Sequence, residues 1–140
     1  MTGKTINLDF KGYWREESKS SVPSQSGIYC VYACTHNAND NPPTVSIRKL
    51  IYIGESENVN NRIANHDRLG DWQEHLIVGE TLCYSFAAVP SVDRVRAEAA
   101  LINYIVPPEN TEYTGVFTYN ETTITTTGGN DNLGSSFTVG

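Results

Sequence analysis

The sequence predicts an α+β domain built on a small central antiparallel β-sheet flanked by helices, with an added N-terminal strand and a C-terminal strand. Three observations predict it. Residues 27–34 (GIYCVYAC) and 45–53 are rich in β-formers and flank a stretch holding Asn37, Asn39, Asp40, Asn41 and Pro42-Pro43. That is the pattern of two strands joined by a long-looped hairpin. Val59 and Ile63 then fall four apart, the spacing of one helix face. Residues 92–105 carry a second helical pattern, stopped by Pro107-Pro108.

In chain order, Ile6, Leu8 and Phe10 alternate with polar residues, which predicts a short edge strand. A Ser-rich connector with Pro23 leads to the first hairpin strand. The helix over 57–68 has Ser56 as its expected N-cap and Gly70 as its stop, with a further helical turn over 71–76 capped by Asp71. Residues 81–89 predict a third strand of mixed alternation, ended by Pro90. Ser91 is the expected N-cap of the helix over 92–105. A Thr-rich alternation over 114–127 predicts one more strand, and the Gly-, Asn- and Ser-rich residues 128–140 a flexible tail. The expected organisation is an N-terminal extension over 1–26, a central domain over 27–127, and that tail.

With 140 residues, 39% of them hydrophobic, the chain can bury one modest core. Ten Lys and Arg against sixteen Asp and Glu leave a net charge of −6. That excludes a general basic coat for nucleic acid but leaves room for a local phosphate site. No apolar run approaches the roughly 20 residues that span a bilayer. Residues 1–10 lack the basic start and apolar stretch of a secretory leader. The expectation is a cytoplasmic protein with no membrane partner. Cys30 and Cys34, on one strand, would sit roughly 13 Å apart and cannot bridge. Cys83 stands alone, so all three cysteines are expected as buried, reduced thiols.

Three features carry chemistry. Glu98 falls within an apolar stripe of Val95, Leu101, Ile102 and Ile105. A carboxylate facing a core is costly unless paired, hydrogen-bonded or bound to metal. A pair with Arg94 one turn earlier, or an edge position reaching water, would also answer that cost. Arg62 and His66 are four apart, and a guanidinium beside an imidazole suits a phosphate, though a solvated helix face has the same spacing. Tyr29 and Tyr52, on neighbouring strands, can converge on one sheet face or simply pack. His36 and His75 match no pattern and are expected at the surface.

Taken together, Gly27-Ile28-Tyr29, Tyr52-Ile53-Gly54, Arg62 with His66 one turn later, Glu98, and Pro107-Pro108-Glu109-Asn110 occur in the order seen in the GIY-YIG nuclease family. The chain resembles that family from Gly27 to about Asn110. The resemblance implies a divalent-metal-dependent endonuclease hydrolysing phosphodiester bonds of DNA, with Mg²⁺ or Mn²⁺ as cofactor and Glu98 as the metal ligand. It implies catalytic roles for Tyr29, Tyr52, Arg62, His66, Glu98 and Asn110. Tyr29 is the favoured general base, with Tyr52 aligning the water, although the sequence does not decide between them. A phenol near pKa 10 needs a cation, the metal or Arg62, to work near neutrality. Arg62 would stabilise charge on the phosphate, His66 would bond a phosphate or help move a proton, and Asn110 would hold the loop after the Glu98 helix.

Some features depart from the family pattern. The insertion over 35–45 is longer than in compact members, and Glu55 stands where some carry Lys. No attached DNA-reading module is visible, so specificity would come from loops, nucleic-acid structure or a partner protein. Two other readings follow: a catalytically weak or inactive binding or scaffold module on the same fold, and an unrelated α+β domain with packing tyrosines and a Glu98–Arg94 pair.

Overall fold

A computed structural model of the chain describes residues 3–140; the first two residues of the expected N-terminal extension lie outside them. Six strands form one mixed sheet: β1 (Lys4–Arg15), β2 (Gly27–Asn37), β3 (Thr44–Ser56), β4 (Thr81–Ala88), β5 (Thr122–Gly128) and β6 (Ser136–Val139). Their order across the sheet is β3-β2-β4-β1-β5-β6. All neighbouring pairs are antiparallel except β1 with β5, which is parallel. Three α-helices, α1 (Val59–Ala64), α2 (Leu69–Gln73) and α3 (Ser91–Ile105), and a 3-10 helix (Glu16–Ser21) complete the α+β fold.

The sheet is covered on both faces. Ile28, Cys30 and Tyr32 of β2 lie in one core with Ala97, Ala100 and Leu101 of α3. Tyr29, Val31 and Ala33 lie in the other with Val59 and Ile63 of α1 and Trp72 of α2. This is why 27–34 is a continuous run of β-formers rather than an alternation: every one of those residues is buried.

Several boundaries differ from the expectations. β1 is not an edge strand; it lies between β4 and β5, and its alternate side chains Asn7 and Asp9 accept hydrogen bonds from Thr125 and Thr127. Its one-sided alternation reflects that polar ladder rather than an open edge. The hairpin strands run on to Asn37 and from Thr44, shortening the expected loop. The Thr-rich strand begins only at Thr122. Residues 128–140 are no loose tail: β6 pairs with β5, and Leu133 and Phe137 are buried.

The helices also start elsewhere. Asn58, not Ser56, caps α1, its side chain accepting the Asn61 N–H at 3.0 Å. Gly70 and Asp71 lie inside α2, and Ser91 is the first residue of α3, with Pro90 at the cap. In α3 the buried residues are Ala97, Ala99, Ala100, Leu101 and Ile102, while Val95 is 36% exposed. Alanines weigh little in a hydrophobic pattern, so the pattern places the stripe off the centre of the buried face.

The cysteines differ as well. Cys34 and Cys83 form a disulfide with Cα atoms 6.2 Å apart, and only Cys30 is a free, buried thiol. Spacing along one strand could not reveal the pair. The β2–β4 register places Cys83 opposite Tyr32 and Cys34 opposite Thr81, so the two cysteines are diagonal neighbours on one face. Among the described residues, no helix is long and apolar enough to cross a membrane.

Candidate active site

β3 is the outer strand of the sheet, and its free edge is where the candidate residues meet. α3 ends on Val106, whose φ of 53° is left-handed and turns the chain back toward that edge. The Glu109 N–H then donates to the Ile51 carbonyl at 3.1 Å. The Asn110 side chain accepts from the Ile53 N–H at 2.9 Å and donates to the Ile53 carbonyl at 2.8 Å. One amide side chain thus satisfies both backbone groups of an edge-strand residue. Between this segment, β3, α1 and α3 lies a cavity of about 280 Å³. Tyr29, Tyr52, Arg62, Glu98 and Asn110 all line it, together with Glu55, Arg68, Glu109 and Glu112.

The two motif glycines have steric reasons. A Cβ on Gly54 would stand 2.3 Å from the Tyr29 ring and 2.4 Å from its hydroxyl. Tyr29 faces Gly54 in the β2–β3 register, so the missing side chain is the space the phenol occupies. A Cβ on Gly27 would fall 2.2 Å from the Ala87 carbonyl of β4.

His66 does not line the cavity. It lies beyond the C-terminus of α1, not on its face with Arg62, and its side chain is fully buried against Trp72, ring centroids 4.2 Å apart. Direct contact with a phosphate, one of the expected roles, is closed to it. Instead its Nε2 is 2.8 Å from the Tyr29 hydroxyl, and its Nδ1 accepts the Arg68 backbone N–H at 3.0 Å. An Nδ1 that accepts carries no proton in the neutral ring, so Nε2–H donates to the Tyr29 oxygen. Burial, then the nearby Arg62, push the His66 pKa down to about 4, which keeps the ring neutral.

The phenols are held protonated. Burial raises the Tyr29 pKa well above the ordinary value; Tyr52 and the carboxylates of Glu98 and Glu55 add to that, while Arg62 works against it. Tyr52 is shifted up in the same way, burial first and Glu98 next, with Arg62 and Arg68 opposing. Arg62 donates from Nη2 to Asp67 at 2.9 Å.

Glu98 does not pair with Arg94. That arginine donates to Glu55 at 2.5 Å and to the Ser26 hydroxyl at 2.9 Å. Glu98 has no ion-pair partner among the described residues, and burial followed by the charges of Glu55 and Glu112 push its pKa up to about 8. Such a carboxyl gains from a cation. No set of three His, Cys, Asp or Glu side chains forms a ready ligand cage among the described residues. A hard ion that keeps most of its waters needs only one or two carboxylates, so the donors fit Mg²⁺ or Mn²⁺ at Glu98 and do not fit a soft, fully caged metal.

Three residues outside the expected set belong to this site. Arg68 lines the cavity, 5.8 Å from the Tyr52 ring centroid, and its Nη2 donates to the Glu109 carbonyl at 3.1 Å and carboxylate at 2.6 Å. His75 is not a free surface residue: its Nε2 meets Glu109 at 2.6 Å and its Nδ1 meets the Lys49 ammonium at 2.9 Å. His75 first, and Arg68 with it, hold the Glu109 carboxyl below its ordinary range. Glu109 sat inside the Pro-Asn segment, but nothing in the spacing linked Arg68 or His75 to it.

A scan against protein-family models matches none, and searches of curated proteins and of solved structures return no match.

Proposed function

We propose that this chain is a divalent-metal-dependent endonuclease of GIY-YIG type, hydrolysing phosphodiester bonds of DNA. The observation that carries the reading is the convergence of Tyr29, Tyr52, Arg62 and Glu98 on one cavity at the β3 edge. Residues spread over 70 positions meet there, and packing alone does not require a tyrosine pair, a guanidinium and an unpaired carboxyl in one place.

In this reading Glu98 holds the cation, Mg²⁺ or Mn²⁺. When bound, such an ion polarises a phosphoryl oxygen and stabilises the leaving oxygen. Arg62 binds the scissile phosphate and stabilises its developing charge. Tyr29 would first give up its own proton to solvent, with Arg62 and a cation at Glu98 favouring the phenolate, and the phenolate oxygen would then take the proton of the attacking water. His66 supports that step by donating Nε2–H to the same oxygen, which favours the phenolate. Tyr52 orients the water, and Asn110 fixes the loop that closes the cavity.

Glu55, Glu109 and Glu112 on the same cavity favour a second reading, a weakly active or inactive binding module on this fold. With the net charge of −6, they make tight DNA binding by the chain alone costly. A protein partner supplying affinity or specificity belongs to both readings. So does a cytoplasmic location, against which the Cys34–Cys83 disulfide weighs, because disulfides persist mainly in oxidising compartments.

Plasmid nicking at low salt, with Mg²⁺ or Mn²⁺ against EDTA and with Glu98→Ala alongside, tests the proposal. Metal-dependent nicking lost in the variant supports the nuclease. A folded protein that binds DNA without nicking it under either metal supports the binding module.

A further inference from the structure

The cavity holds two arginines where the family resemblance supplies one. Arg62 is the expected phosphate ligand. Arg68, six residues on, lines the same cavity from the turn between α1 and α2. Its guanidinium is fixed on two of its three nitrogens. Nε donates to Asp71 at 2.8 Å, and Nη2 donates to the Glu109 carbonyl and carboxylate. The Tyr52 ring lies beside it. Nη1 makes no hydrogen bond to the protein among the described residues. Glu109 is itself fixed, by His75 and by its backbone bond to Ile51, so the clamp on Arg68 is rigid.

Nη2 alone reaches the 107–110 segment, while Nε is held by Asp71 of α2. Among the described residues the third is left without a protein partner, on a residue that lines the cavity, whose other charged groups are Arg62 and the carboxylates of Glu55, Glu109 and Glu112, with Glu98 keeping its proton up to about pH 8. A phosphate entering it is repelled by those carboxylates and can be held only at the two guanidiniums or by a cation on Glu98. A guanidinium orientated in advance binds phosphate without losing the rotamer entropy that a free arginine would.

We propose that Arg68 is a second phosphate-binding residue, holding through Nη1 the phosphate next to the one at Arg62. The substrate is then a polynucleotide strand with consecutive phosphates, not an isolated diester. This rests on the nuclease reading above and adds to it a second residue that holds the strand.

The test compares wild type, Arg68→Ala and Arg68→Lys on two substrates with Mn²⁺: a short DNA duplex and bis(p-nitrophenyl) phosphate, which has a single phosphate. Binding of a fluorescein-labelled copy of the duplex is followed by anisotropy from about 50 to 200 mM salt. Losing one charged hydrogen bond to phosphate should cut the duplex-to-diester ratio of kcat/KM by about 10- to 100-fold in Arg68→Ala. The log–log salt slope for binding should shrink by about 0.9, one phosphate contact, and Arg68→Lys should restore most of it. A merely structural Arg68 would lower both substrates alike and leave the slope unchanged, and either result overturns the proposal. If wild type binds the duplex but cleaves neither substrate, the nuclease reading fails and the slope alone decides for or against Arg68. If wild type does not bind the duplex even at the lowest salt, both fall.

Discussion

The Tyr29 hydroxyl and His66 Nε2 are 2.8 Å apart in a buried contact, and the Arg68 backbone N–H on Nδ1 makes His66 the donor. The imidazole therefore cannot accept the tyrosine's proton without first breaking its bond to Arg68. What it can do is stabilise the phenolate once the proton has gone elsewhere. His66→Ala should lower turnover by about 10- to 100-fold, the worth of one hydrogen bond to a developing charge. His66→Gln, whose amide can still donate to the phenol, should recover part of that loss. Tyr29→Phe should lose more than either, because it removes the accepting oxygen. Steady-state nicking rates check the ranking; Gln as damaging as Ala would contradict the donor assignment.

The same histidine makes the fold acid-sensitive. Its pKa falls from 6.5 to about 4 on folding, so between those values the unfolded chain binds more protons than the folded one. Stability is full above about pH 6.5 and drains away as pH falls toward 4. The shift corresponds to about 3 kcal/mol at its limit. Urea melts between those pH values should show the loss in wild type, and His66→Gln should flatten that part of the profile while keeping the slope due to the carboxylates.

Glu98 has the opposite sign. Its carboxyl is raised from 4.5 to about 8, so the unfolded chain releases its proton first. Stability from this group is full below about pH 4.5 and is lost as pH rises through 8. Glu98→Gln, neutral at every pH, should be more stable than wild type at alkaline pH by about 1–3 kcal/mol and so melt higher there. Mg²⁺ should raise the melting temperature of wild type most in that range and leave Glu98→Gln unmoved, because the ion takes the place of the proton. Thermal melts at three pH values, with and without Mg²⁺, decide it.

Gly54→Ala should disable the site from beneath. The new methyl would overlap the Tyr29 ring and hydroxyl, and the ring can yield only by leaving His66. Overpacking of this kind costs about 1–3 kcal/mol. Denaturant midpoints should drop by that amount, and activity should fall toward that of Tyr29→Phe. An alanine variant with normal turnover would mean that the phenol's present position is not the working one.

Much of this was legible in the sequence, and what was not has identifiable causes. The β2–β3 hairpin, β4 and α3 announce themselves through β-former runs, Pro stops and helical spacing. Tyr29, Tyr52, Arg62, Glu98 and Asn110 were found as residue types in an order, and the cavity they line was not itself visible. Contacts made across strands or around an edge leave no local trace. Cys34 and Cys83 are 49 positions apart, and only the β2–β4 register joins them. Arg68 and Glu109 are 41 apart and meet because Val106 reverses the chain. The C-terminal residues differ for another reason: Gly, Asn and Ser are turn formers, and here they build the 129–135 connection that brings β6 back onto β5.

Asn110 tests whether that reversal is what shapes the site. Its amide matches the Ile53 N–H with an acceptor and the Ile53 carbonyl with a donor. Asn110→Asp keeps the size but replaces the donor with a carboxylate oxygen facing a carbonyl, losing one bond and adding repulsion. Asn110→Ala loses both bonds without the repulsion, and water can reach the edge strand. The aspartate should therefore be the worse change, at about 1–3 kcal/mol. Because Glu109 rides on the same segment, both variants should also loosen the clamp on Arg68, which the His75 and Ile51 bonds of Glu109 then hold alone. Hydrogen exchange at the Ile53 amide reports the first effect and duplex binding the second. If Ile53 exchanges faster while binding stays as in wild type, Asp71 and the His75 and Ile51 bonds of Glu109 suffice to hold Arg68, and Asn110 serves only to cover the β3 edge.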